Sequence, residues 1–364
     1  MKFRCERDVL DRALSIARRA VAGRGGTLQV LSGLHLELKG NRLTVVGSDL
    51  DLVVRVAVEV GGEKDGSVVL PAQLGSDIVR AFDSGQVEVT VDDDGASVVS
   101  GRSNFSLRVM SSEEYPKFDE PHGESVTLDA GTVADALEQV IKAASLDDAR
   151  QILTGVLMAA EEDGLRFVAT DSYRLAVRDL PGTAVLGRDQ TVLVPSRALD
   201  TVRKILGDAE SLTIRLGERD AAFEIDDVQV MTRLIEGEFP NYRGLIPNDH
   251  PNVLVVDRMA LQEAVGRVRI LAQESTPVRL SMSSDGLELA AITQDVGQAH
   301  ESLDATYDGT DLTVAFNPQF LLDGLEVSPG DEVRLETSEP SKPAVLRSMG
   351  DEQFLYLLMP VRVT

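Results

Sequence analysis

The amino-acid sequence predicts an α+β fold made of three copies of one unit, each with two helices packed on largely antiparallel sheet. Three observations predict it. A strand, a polar kink and a second strand recur: Leu153 to Leu157 with Leu165 to Val177 in the middle of the chain, and Leu31 to Leu36 with Leu43 to Leu52 near its start. Gly33 and Gly155 stand 122 positions apart, as do Asp49 and Asp171; a weaker third copy begins at Val278, where Gly286 follows Gly164 by the same 122 although the acid of the kink is displaced. Each third also opens on apolar residues spaced by three and four, the period of an amphipathic helix. Lastly, a short apolar strand ending in proline recurs at Pro71, Pro195 and Pro318, 124 and then 123 positions apart. A repeat has to be found first, because it sets the architecture that every later motif is placed on.

The opening helices carry Val9, Leu10, Leu14, Ile16, Ala17 and Val21; then Val133, Ala136, Leu137, Val140 and Ile141; then Leu261, Val265, Val268, Ile270 and Leu271. The repeated strand pair follows, with period-two alternation suited to a half-buried sheet. Each proline junction predicts a second helix with proline in its first turn, where the missing N–H would be unpaired anyway and the fixed φ suits the helix. Alternating strands close each unit, Ser97 to Val109, Ala222 to Leu234 and Ala344 to Met359, joined by Gly-, Asp- and Ser-rich turns. Polar, proline-bearing linkers at Pro121 to Glu124 and Ile246 to Pro251 place the domains at residues 1–122, 126–248 and 252–364.

With 364 residues and 43% apolar content the chain has enough material for three cores, and no apolar run approaches the roughly 18 residues of a membrane span. The N-terminus, Met1 to Asp8, has no secretory core and runs into the first helix, so a soluble cytoplasmic protein is expected. The single cysteine, Cys5, has no partner for a disulfide or a CxxC pair.

Catalysis finds no supporting parts. Thr170-Asp171-Ser172 offers a base and a hydroxyl, but there is no GxSxG elbow and no third group to orient the base. His35, His122, His250 and His300 have no metal-ligand spacing, and Gly61 to Ser67 lacks the lysine of a phosphate loop. Asp92-Asp93-Asp94 and Glu161-Glu162-Asp163 read as solvated turns. Asp49 and Asp171, at equivalent positions, read as acids that cap a turn through their own carboxylates.

The net charge of −24 argues against nucleic acid as a sum, so its distribution matters. Residues 7–24 hold Arg7, Arg12, Arg18, Arg19 and Arg24 against Asp8 and Asp11; Arg197, Arg203 and Lys204 lie on the second helix of the middle unit, and Arg258, Arg267 and Arg269 on the first helix of the third. Positive charge gathers on these helices while acid lies on loops and strands. Either these are solvated helix faces, or the repeat sets them on one surface as a basic track for phosphates without base reading. The absence of tryptophan and the few aromatics favour duplex backbone over stacked single strand.

Five stretches together carry a family resemblance: Thr170 to Leu175, Glu236 to Arg243, Phe316-Asn317-Pro318, Leu357 to Val363 and Ser100 to Leu107. They resemble the bacterial DNA polymerase III beta subunits, the sliding clamps, in order and over essentially the whole chain. The resemblance implies a DNA clamp fold of three clamp-type domains, closing head to tail into a homodimeric ring with helices around duplex DNA. It implies a non-enzymatic processivity subunit without cofactor or metal, whose partners are the replicative polymerase alpha subunit, clamp-loader subunits and repair proteins. The alternative is a multidomain peptide-binding scaffold that does not encircle DNA.

By the same resemblance, a pocket for short linear peptides would lie between the middle and C-terminal domains. Carried over by motif, it takes Leu153, Thr170, Ser172, Tyr173, Arg174 and Leu175 from the repeat, and Pro240, Arg243 and Leu245 from the following segment. The last domain supplies Asn317, Phe320, Val345 and Leu357, and the tail Met359, Pro360, Val361 and Arg362. Ser172-Tyr173 stands where many members have Gly-His, and Gly244 where an Arg is common. The DNA-facing set would be Arg18, Arg19, Arg24, Arg197, Arg203, Lys204, Arg267 and Arg269. At the ring interface Ile270 and Leu271 would meet Phe105 and Leu107 of the other chain, with Arg102 near an acid such as Glu301.

Overall fold

A computed structural model describes residues 1–21, 28–119, 121, 123–162, 164–183, 185–187, 190–247, 249–272 and 276–362. Arg24, His122, Asp163 and Val363, used in the sequence reading, lie outside the described residues. Six α-helices are described: α1 (Arg7–Ala17), α2 (Ala72–Ala81), α3 (Ala130–Ile141), α4 (Ser196–Leu206), α5 (Arg258–Val268) and α6 (Pro318–Val327). None is long and apolar enough to cross a membrane.

The chain divides into two compact units, residues 1–133 with 197–234, and residues 134–196 with 235–364. The first unit holds an eight-stranded sheet in the order Ser125–Asp129, Ser211–Leu216, Asp220–Ile225, Val228–Arg233, Leu52–Glu59, Arg42–Ser48, Gly33–Lys39 and Gly66–Pro71. It also holds a five-stranded sheet ordered Gly61–Lys64, Lys2–Glu6, Gln86–Asp92, Gly95–Ser100 and Ser103–Leu107. The second unit has a nine-stranded sheet: Thr191–Pro195, Gly155–Glu161, Gly164–Thr170, Arg174–Pro181, Asp351–Leu358, Ala344–Ser348, Glu332–Thr337, Asn252–Asp257 and Ala305–Asp308. Its four-stranded sheet runs Gly297–Leu303, Gly286–Thr293, Val278–Ser283 and Leu312–Phe316. All the described pairings are antiparallel, as the short turns between alternating strands require.

The middle repeat therefore serves both units. Its last strand, Val228–Arg233, pairs with Leu52–Glu59 of the first repeat, with Val230 opposite Val54. Its strand Arg174–Pro181 pairs in the same way with Asp351–Leu358 of the third, with Val177 opposite Leu355. Sequence alternation marks Val228–Arg233 and the start of Arg174–Pro181 but not Leu52–Glu59, and it carries no information on a strand's partner, so this sharing was not legible beforehand.

Alternation accounts for the cores. On Gly33–Lys39, Leu34, Leu36 and Leu38 are buried to 1% or less while His35, Glu37 and Lys39 turn to the other face. Each such leucine contributes about 2 kcal/mol by burial. In α1 the buried residues are Leu10, Ala13, Leu14 and Ala17, so Ala13 takes the place expected for Ile16, which is half-buried with Val9 and Val21. In α5 Leu261, Val265 and Val268 are buried as expected, but Ile270 lies past the helix end and is 81% exposed.

The proline junctions differ from expectation by one residue in two cases. Pro71 and Pro195 end their strands immediately before α2 and α4, whereas Pro318 is the first residue of α6. In that third copy Asn317 takes the capping place, its Oδ1 accepting from the Gln319 and Phe320 amides at 2.8 and 3.3 Å. The helices themselves begin 124 and then 122 residues apart, so the third repeat is two residues shorter here and the shifted proline offsets one of them.

Candidate functional site

The turn Thr170 to Arg174 is closed by its own side chains. Asp171 Oδ1 accepts from the Tyr173 and Arg174 amides at 2.9 and 3.0 Å, and Thr170 Oγ1 donates to the Arg174 carbonyl at 2.6 Å. Between them Ser172 is held at φ +80°, left-handed backbone that costs an L-residue about 1–2 kcal/mol. The first repeat builds the same turn: Asp49 Oδ1 accepts from the Asp51 and Leu52 amides, and Leu50 stands at φ +87°. The displaced acid of the third copy, Asp295, is itself left-handed at φ +61°. Asp49 and Asp171 are turn-capping acids, as their equivalent positions suggested.

The middle copy adds Arg174. Its Nε donates to Asp171 Oδ2 at 3.0 Å, its Nη1 donates to Asp323 of α6 and lies 3.4 Å from the Tyr356 hydroxyl, and its guanidinium carbon sits 4.4 Å from the centre of the Phe320 ring. Burial works against the charge on Arg174, yet Tyr356 and the two carboxylates hold its pKa above the ordinary value. Burial also pushes the Tyr356 hydroxyl up, so it faces Arg174 as a neutral acceptor. Over Phe320, on which Arg174 also packs, lies the Tyr173 ring, stacked at 6.4 Å and 27° and itself 58% exposed. Arg150 anchors the turn from below, donating to the Asp171 carbonyl at 2.9 Å. Asp323, Tyr356 and Arg150 were absent from the sequence-derived set; the partner lies 149 positions from Arg174 in the first case and 182 in the second, beyond any local pattern.

The tail is tied at two amides. Met359 N–H donates to the Tyr173 carbonyl at 2.9 Å and Val361 N–H to the Ala315 carbonyl at 2.7 Å. Exposed Met359 thus meets exposed Tyr173 next to Ser172; Val361, Leu245, Pro240, Arg243 and Arg362 are exposed as well. Leu153, Asn317, Phe320 and Pro360 are half-buried. Leu175, Val345 and Leu357, expected as lining, are buried: Leu175 opposes Leu357, Leu357 opposes Val345, and all three are 2% exposed or less. Neighbouring strands in register bring side chains of one face together, and here that face is covered by Phe239, Tyr242 and Ile246. Thr170 is buried by its hydrogen bond within the turn. Arg243 donates to Glu161, which also lies 3.5 Å from Arg166.

The basic helices are less bare than the sequence suggests. Arg203 and Lys204 both pair with Asp200 of their own helix, and Arg197 pairs with Asp49. Burial alone would raise the Asp200 pKa, but Lys204 and Arg203 hold it below the ordinary range. Arg18 donates to Gln73 at 3.0 Å and lies 3.7 Å from Asp77 of α2. Arg267 grips Glu301 through Nε and Nη2 at 2.6 and 2.8 Å, with Glu263 at 3.5 Å. Acid is therefore not confined to loops and strands, because carboxylates three or four residues before a cation share its helix face. Arg19 and Arg269 are exposed with no acid partner among the described residues.

Of the expected interface residues, Phe105 is 42% exposed and packs edge-on against Phe82 at 5.6 Å. Arg102 is exposed, and Leu271 is half-buried. Leu107 is instead 6% exposed, a core residue of its own unit, and Glu301 already has Arg267 in its own chain. The pairing with Arg267 holds the Glu301 carboxyl below its usual range.

Three family descriptions tile the sequence: DNA polymerase III beta subunit N-terminal domain over residues 1–119, central domain over 127–241 and C-terminal domain over 243–362. The chain belongs to the DNA polymerase III beta subunit family. A beta sliding clamp of Streptomyces coelicolor is 36% identical and one of Synechocystis 30%, each match covering 100% of both chains. Among solved structures, the DNA polymerase sliding clamp of Bacillus subtilis superposes with a TM-score of 0.93 at 28% identity. A sliding clamp of Bartonella birtlesii, solved bound to griselimycin, does so with 0.94 at 29%; each covers 100% of both chains. The fold is that of three clamp-type domains, and the function is that of a DNA sliding clamp.

Proposed function

We propose that two copies of the chain close head to tail into a ring around duplex DNA and act, without catalysis of their own, as the processivity subunit of a replicative polymerase. The threefold repeat supports this reading: six equivalent units in two chains allow a heterologous contact whose rotation closes. Exposed Ile270 and Phe105 are the apolar residues offered for that contact. A ring retains DNA by topology, so phosphate contacts need only be weak and sequence-independent.

The second unit takes short linear peptides of the polymerase alpha subunit, clamp-loader subunits and repair proteins between the Thr170–Leu175 turn and the tail. The observation that carries this is the tail held at the Tyr173 and Ala315 carbonyls, which sets exposed Met359 against exposed Tyr173 next to Ser172, with Val361 and Arg362 exposed beyond it. Apolar anchors with a few placed polar groups suit an extended peptide.

The decisive experiment loads the protein on a nicked circular duplex and then linearises it. Retention on the circle and loss from the linear form is expected. Equal loss from both would overturn the ring and leave a peptide-binding scaffold. A mass in solution near twice 39.3 kDa is expected for the free protein.

A further inference from the structure

We propose that the acids paired with Arg18 and with the basic residues of α4 and α5 set how loosely this chain holds a phosphate backbone, with Asp200 and Asp77 as tuning residues. The inference rests on the duplex reading above and deepens it. Asp200 engages two cations at once, Arg203 and Lys204, while Asp77 faces Arg18.

A cation already held by a carboxylate, at 3.0 Å for Arg203 and 3.7 Å for Arg18, presents a dipole rather than a bare charge, and its field decays well within the ~10 Å screening length. A phosphate approaching Arg203 must either accept the neighbouring Asp200 charge or draw the guanidinium off it. Each paired cation then releases less than the ~0.9 counterion expected of a free one. Stability gives little reason to keep these pairs, since exposed pairs contribute about 0–1 kcal/mol. Removing the acid therefore leaves the fold intact and frees the cation.

The test measures binding of a short, blunt-ended fluorescent duplex by anisotropy over a fourfold range of salt, with thermal unfolding followed in parallel. Asp77→Asn is expected to steepen the dependence of log affinity on log salt by about 1, and Asp200→Asn by about 1 to 2. Over that range this is about a four-fold to sixteen-fold greater loss of affinity. Asp208→Asn changes net charge equally, but its acid is exposed and has no ion pair among the described residues; its slope should match the parent. Unchanged slopes in Asp77→Asn and Asp200→Asn, beside a parent slope that Arg19→Ala flattens, overturn the inference and leave the duplex reading standing. So does equal steepening by Asp208→Asn. No duplex binding by any of these proteins removes the duplex reading and the inference together.

Discussion

Arg174 and Asp323 pair across the second unit, joining the turn after the strand Gly164–Thr170 to helix α6, with side chains only 11% and 14% exposed. The same guanidinium is held by Asp171, so the turn that caps itself is also fastened to the last domain. In the first unit the corresponding turn acid, Asp49, reaches Arg197 of α4 with the charges exchanged.

Arg174→Ala leaves two carboxylates without their cation. It should destabilise the protein by about 3 kcal/mol, because an uncompensated buried charge costs more than the pair contributes. A double-mutant cycle with Asp323→Asn should give a coupling of about 1–3 kcal/mol by denaturant unfolding. Additive effects would show that Arg174 and Asp323 do not couple.

Ser172 occupies left-handed backbone, the region that favours glycine. Ser172→Gly should raise stability by about 0.5–1 kcal/mol, the relief of the strained φ less the extra freedom of glycine in the unfolded chain. Ser172→Val should lower it by at least as much. Unfolding midpoints measure both.

His35 stacks on Tyr115 at 5.2 Å, and burial holds its pKa below the ordinary 6.5. The unfolded chain then binds the proton more readily than the folded one. Stability from this group is complete above pH ~6.5 and falls as pH drops through that value toward the folded pKa. His35→Phe should flatten the slope of stability between about pH 5 and 7, and an unchanged slope would assign it to other groups.

The tail's two hydrogen bonds can be separated from its side chains. Val361→Pro removes the N–H given to Ala315 while leaving an apolar residue, and should weaken peptide binding about ten-fold or more if a bond of 1–2 kcal/mol positions the tail. Deleting residues 359–364 should abolish peptide binding and leave the sedimenting dimer intact. A monomer after deletion would move the tail's role to assembly.

The thiol of Cys5 is buried in the strand Lys2–Glu6, and burial pushes its pKa up to about 12. A thiol reagent should therefore modify it only in denaturant. Rapid labelling of the folded protein would indicate local opening of that strand.

The sequence by itself determined what depends on spacing along the chain. The repeat at 122 residues, the helix stripes and the turn-capping roles of Asp49 and Asp171 all follow from groups that meet within a few positions, as the Tyr173 and Arg174 amides meet Asp171. The motifs at Thr170 to Leu175 and Leu357 to Arg362 also carried the family. Tertiary structure alone decided that the middle repeat completes a sheet in each unit, and that Leu175, Val345 and Leu357 are buried together on one face of it. It also decided that Arg174 meets Asp323, and that Arg197 and Arg267 meet Asp49 and Glu301. Those outcomes depend on strand register and on contacts between residues far apart in sequence. A period of two or of three and four residues says which way a side chain faces, and long-range pairing settles what it finds there.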